Sequence, residues 1–100
     1  MAKEPRTECR TPTPDKSSTT IPTWKYEVLE TAILQTVDEA GHEGLLFSDL
    51  PENVRDKLSS DALEKMGSLG WHVTTVKLEL EVRGVLKRLD GVKPQRLVLG

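Results

Sequence analysis

From Trp24 to Ala40 the apolar positions Tyr26, Leu29, Ile33 and Val37 recur at spacings of three and four, with Ala32 and Thr36 beside them. That period is one face of a helix. Thr23, directly after Pro22, is its expected N-cap, and Gly41 supplies the residue at which a helix turns left-handed and stops. Gly44-Leu45-Leu46-Phe47 is too short for a helix and is expected as a brief strand or buried connector. Ser48 or Asp49 then opens a second helix, helped by Glu52 and tolerant of Pro51 in its first turn, with Leu50, Val54 and Leu58 as its buried stripe. Residues 59–67 are expected as a linker with one helical turn, where Asp61 and Glu64 have capping-box spacing and Leu63 and Met66 are the apolar pair. A third helix is predicted from Ser68 to Arg83, closed by Gly84.

The C-terminal segment has the pattern of a β-hairpin, with strands Val85–Arg88 and Gln95–Leu99. Asp90-Gly91 is a hairpin-turn signal, but a tight two-residue turn would set Lys87 against Pro94 and Leu86 against Gln95. A wider loop, Leu89 to Pro94, sets Leu86 against Leu97 and Val85 against Val98. It is preferred because register follows the buried face. In that register Lys87 faces Arg96.

Helix, short strand, two further helical stretches and a hairpin make the order of a winged helix, a helix-turn-helix followed by a β-hairpin wing. The predicted class is α+β, mostly α. The winged-helix domain spans residues 23–100, preceded by an extended N-terminal arm over residues 1–22. That arm is rich in Thr, Pro, Ser and charge and holds little apolar surface to offset ordering entropy. It is expected either to stay loose or to dock through Ile21 and the Thr-Pro run.

The residues Lys25-Tyr26-Glu27, Gly70-Trp71, the run from Val76 to Leu86 and Pro94-Gln95-Arg96-Leu97 resemble a small uncharacterised family of bacterial winged-helix-like proteins. Thr11-Pro12 in the arm is similar too. His72 stands where that family commonly has a second tryptophan, and residues 59–67 lack its Pro-Gly-Gly stretch. The resemblance implies the fold and no activity.

Composition narrows the function classes. A chain of 100 residues with 36% hydrophobic and 30% charged residues is one small globular unit. The single cysteine, Cys9, rules out an internal disulfide, and with only His42 and His72 beside it no zinc set at ligand spacing exists. No signal-peptide core and no membrane-length apolar run is visible, so the expected compartment is the cytoplasm, with no membrane, metal or cofactor. No nucleophile, base or phosphate-loop motif assembles, so the chain is expected not to be an enzyme.

Two non-enzymatic readings remain. On the third helix Leu69, Val73, Val76 and Leu80 face the core, while Trp71, Leu78 and Val82, with Thr75 between, form a second apolar stripe on the opposite side. A helix apolar on two sides is covered on two sides. Trp71, Thr75, Leu78 and Val82 are therefore a candidate protein interface, to be covered by the arm, a second copy or another protein. The alternative is a DNA-binding regulator, with Lys77, Lys87, Arg88, Lys93 and Arg96 on phosphates. The net charge of −2 conceals a split: residues 21–70 hold four positive and ten negative charges, and residues 71–100 six positive and three negative. The basic end keeps DNA in view. Glu79 and Glu81, expected on the outer face, would repel phosphate and put the interaction module first.

Overall fold

A computed structural model describes residues 5–12, 17–89, 91 and 94–100. Its elements are strands β1 (Arg6–Cys9) and β2 (Thr19–Pro22), helix α1 (Thr23–Ala40), strand β3 (Leu45–Leu46) and helices α2 (Leu50–Arg55), α3 (Ser60–Met66) and α4 (Leu69–Val82). Strands β4 (Leu86–Arg88) and β5 (Arg96–Leu99) follow. The fold is α+β, with four α-helices and two small antiparallel sheets, β1-β2 and β3-β5-β4.

The apolar faces of α1 and α4 pack on each other and on α2, closing a core in which Leu29, Ile33, Leu50, Val54, Val73 and Leu80 are fully buried. The bounds of α1 and α4 follow the 3.6-residue period closely. Ser68 Oγ caps α4 by accepting from Trp71 N at 3.3 Å. Residues 59–67 are more ordered than expected. Ser59, not Asp61, caps a helix there, accepting from Ala62 N at 3.1 Å, and Met66 anchors it in the core. Asp49 makes no side-chain cap, because a 3-10 turn over Phe47–Asp49 already runs into α2.

The N-terminal segment corrects the expectation of an extended arm. Arg6 pairs with Pro22, Thr7 with Ile21 and Cys9 with Thr19, forming a β-hairpin. Alternation turns Cys9 and Ile21 into the core, each under 4% exposed. The hairpin also closes the start of α1. Thr23 N donates to Pro5 O at 2.9 Å, and Thr23 Oγ1 lies 2.8 Å from Thr7 Oγ1, so Thr23 is tied to the arm instead of capping its own helix.

The second sheet corrects the register of the C-terminal hairpin, the segment expected as the wing. Leu86 pairs with Leu99, Lys87 with Val98 and Arg88 with Leu97, two residues beyond the expected register. Side chains keep their faces under a shift of two, so Leu86 and Leu97 stay buried while Lys87 meets Val98 in place of Arg96. On its other edge β5 pairs with β3, Leu45 with Leu97 and Leu46 with Arg96, which makes β5 the central strand. Gly44 permits that approach: its φ is 83°, and a Cβ there would lie 3.1 Å from Arg96 Cβ, Leu89 Cδ1 and Leu97 O.

Candidate interaction surface

Helix α4 runs between the arm and the wing, and its charged residues serve both. At about 100° per residue, Lys77 and Glu79 fall on opposite flanks of the apolar stripe. Each is 1% exposed. Glu79 faces the arm. Its carboxylate accepts from Arg10 N at 2.7 Å, Arg10 Nε at 3.0 Å, Arg10 Nη2 at 2.8 Å and Arg83 Nε at 2.6 Å. Arg83 also lies 4.8 Å from the ring of Tyr26, whose hydroxyl donates to Glu30 at 2.9 Å. Burial pushes the Glu79 carboxyl up, but the hydrogen bonds from Arg10 and Arg83 outweigh it and hold the group down at about 2. Burial, with the nearby Glu79 charge, raises the Cys9 thiol to about 11, so it is an unreactive packing group.

Lys77 faces the wing. Its ammonium lies 2.9 Å from Glu81 Oε2, donates to Gln95 Oε1 at 3.2 Å and sits 4.3 Å over the ring of Phe47. Glu81 accepts in turn from Arg88 Nε at 2.5 Å. Burial, partly offset by Glu81, lowers the pKa of Lys77. Among the described residues every buried side-chain nitrogen and oxygen has a hydrogen-bond partner.

This arrangement relocates several expected site residues. Lys77 is internal and presents no charge to solvent. Glu79 and Glu81 are not outer residues; they are the anchors of the arm and the wing. Arg88 is committed to Glu81, and Arg96 Nη1 donates to Gly44 O at 3.1 Å. Lys87 is exposed and carries no ion pair among the described residues. Lys93 lies outside the described residues. Of the proposed apolar stripe, Trp71 is 49% exposed, while Thr75, Leu78 and Val82 are half-buried. Trp71 stacks edge-on against His72, ring centroids 4.8 Å apart, and His72 Nδ1 lies 2.6 Å from Ser68 O.

A second apolar surface was not anticipated. Val85 and Leu99, 39% and 42% exposed, are the other large hydrophobic residues left open among the described residues. They share a groove of about 580 Å³ with Leu34, Gln35 and Asp38 of α1. A neighbouring hollow of about 390 Å³ shares Asp38 and Leu99 and adds His42, Leu89 and Val98. The sequence signal was present in Leu34 and Val85, which fall off the core faces of their elements.

Among the described residues no group of three or more His, Cys, Asp or Glu is placed to hold a metal ion, and no helix is long and apolar enough to cross a membrane. No curated protein and no solved structure matches the sequence. One family model, described as a family of unknown function (DUF6958), matches residues 6–97, from the first strand of the arm to the central strand of the wing. The match covers the arm hairpin, all four helices and most of the C-terminal sheet, and the chain belongs to that family of unknown function.

Proposed function

We propose that this chain is a non-enzymatic winged-helix interaction module. The winged-helix reading is supported by the order α1, β3, α2, α3, α4, β4, β5 and by the pairing of β3 with the terminal hairpin. The single observation that carries the functional reading is the placement of the charges of α4. A helix that reads DNA offers Arg, Lys, Asn or Gln to base edges. Here Lys77 and Glu79 are buried, Glu81 is nearly so, and Arg83 is paired with Glu79. Apolar side chains are what stay open, at Trp71 and at the Val85–Leu99 groove, and exposed apolar surface of this kind marks contact with another protein.

Heparin chromatography of the full chain tests this reading against the DNA-binding alternative. The module is expected to elute early, with retention nearly independent of salt. A DNA-binding regulator loses affinity with a log–log slope of about −0.9 for each phosphate contacted. Strong retention with such a slope, removed by Lys87→Ala, would overturn the module reading.

A further inference from the structure

We propose that the N-terminal hairpin is a strap that undocks from an otherwise folded domain and so gates the surface beneath it. That surface is Glu79 together with the apolar seat on α1 and α4 that Cys9 and Ile21 fill, and its occupant is this chain's own β1-β2 hairpin. Such a strap operates whatever the chain binds, so heparin retention does not bear on it.

The hairpin holds to the domain mainly by two side chains and one charge cluster. Among its described residues only Cys9 and Ile21 are buried, while the other buried apolar residues lie between Tyr26 and Leu97 and close a core of their own around α1, α2 and α4. Its polar links include Arg10 to Glu79, the Thr23 amide to the Pro5 carbonyl, and the hydroxyls of Thr7 and Thr23. Other bonds stay within the hairpin: the ladder itself, Arg6 with Thr20, and Ser18 Oγ donating to Glu8 at 2.9 Å.

Undocking traps no charge. A buried pair is costly to break when one charge is left enclosed. Here the hairpin carries Arg10 away, water reaches the Glu79 carboxylate, and Arg83, one turn along α4 at 2.6 Å, still pairs with it. The hinge is the point where β2 passes directly into α1. Pro22 gives that helix no side-chain cap, and its first turn is held by the link from Thr23 to Pro5, so the turn loosens with the hairpin. A two-stranded hairpin alone is only marginally stable in water. Once undocked, the ladder therefore opens with it as one local unit, ahead of the core.

Thiol labelling and hydrogen exchange of the full chain test the strap, with Cys9 reporting undocking and the amides of Leu29 and Leu80 reporting unfolding of the core. The Arg10 and Thr23 amides, which bond across the seam, are expected to be protected at least about tenfold less than the two core amides. The decisive sample is Val54→Ala. Val54 is fully buried on α2, and α2 packs on α1 and α4, so its truncation weakens the docked and undocked forms alike against the unfolded chain. The core amides are expected to exchange about tenfold faster or more, while Cys9 labelling stays within about twofold of the wild type.

Cys9 labelling that accelerates in step with the core amides would overturn the strap, because the hairpin would then open only by global unfolding. If Val54→Ala does not fold, dilute urea on the wild type decides. Undocking exposes little surface, so Cys9 labelling is expected to rise much less steeply with urea than core exchange. Equal slopes would overturn the strap.

Discussion

Glu79→Gln is expected to destabilise the protein by about 2–3 kcal/mol and to release the N-terminal hairpin before the rest of the fold. The carboxylate is buried and accepts four hydrogen bonds, three of them from Arg10. An amide keeps one acceptor oxygen, loses the charge and turns an N–H pair toward a guanidinium. Removing one member of a buried ion pair costs about 3–5 kcal/mol when the charge left behind is trapped. Arg10 and Arg83 are about half exposed, 51% and 41%, and recover hydration, so the cost falls at or somewhat below the lower end of that range. For a domain of this size that lowers the melting temperature by roughly 10–20 °C.

The pH dependence has a definite sign. The folded-state pKa of Glu79 is depressed from 4.5 to about 2. Its contribution is therefore complete above pH 4.5 and is lost as the pH falls through the folded value, where the unfolded chain binds the proton more readily. A shift of this size corresponds to about 3 kcal/mol. The wild type should lose stability steadily between pH 4.5 and about 2, and Glu79→Gln should lose less over that interval. The local readout is Cys9. Its thiol is buried beneath the hairpin, so it should react with a thiol reagent markedly faster in the variant.

At the wing, Glu81→Ala and Lys77→Met are expected to have very different effects. Lys77 is buried with its ammonium held by Glu81, Gln95 and the Phe47 ring. Removing Glu81 leaves that ammonium enclosed without its counter-charge and frees Arg88 from its anchor, at a cost of about 3 kcal/mol. Lys77→Met keeps the volume and the apolar stem and removes the charge that must be desolvated. Replacing a buried ion by an apolar residue of similar size is often neutral or stabilising, and Arg88 still pairs with Glu81. Lys77→Met should therefore stay within about 1 kcal/mol of the wild type. Denaturant melts of the two variants separate a trapped charge from a lost packing group, since equal losses would mean that the Lys77 stem, not its ion pair, is what matters.

The sequence was most legible where one period governs one element. The 3.6-residue period, Gly41 and Ser68 gave α1 and α4 nearly to their ends. Helix α4 was harder because it is enclosed on several sides. A helical wheel placed Glu79 and Glu81 off the apolar stripe and therefore outside, but their flanks are covered by elements far away in sequence: Arg10 lies sixty-nine residues from Glu79. The arm stays open in the sequence between a loose tail and docking through Ile21, because only Cys9 and Ile21 among its described residues are buried. Two residues give too short a pattern to distinguish a docked hairpin from a solvated tail. The wing register failed for a related reason. Matching Leu86 to Leu97 or to Leu99 keeps the same face inward, so the buried face alone does not choose between registers two residues apart. The basic balance of residues 71–100 was real, but Lys77, Arg83 and Arg88 are spent on Glu79 and Glu81. Formal charge counted along a chain does not reveal which charges already face each other.

The charges of α4 point inward and hold the arm and the C-terminal hairpin. Lysine acetylation of the native chain, read by mass spectrometry at each site, tests it most directly. Lys87 and Lys65 are exposed and should be modified rapidly, while Lys77, 1% exposed, should remain unmodified until the protein unfolds. Acetylation of Lys77 at the same rate as Lys87 in the folded protein would place that charge on the surface, opposite to the inward orientation described for α4.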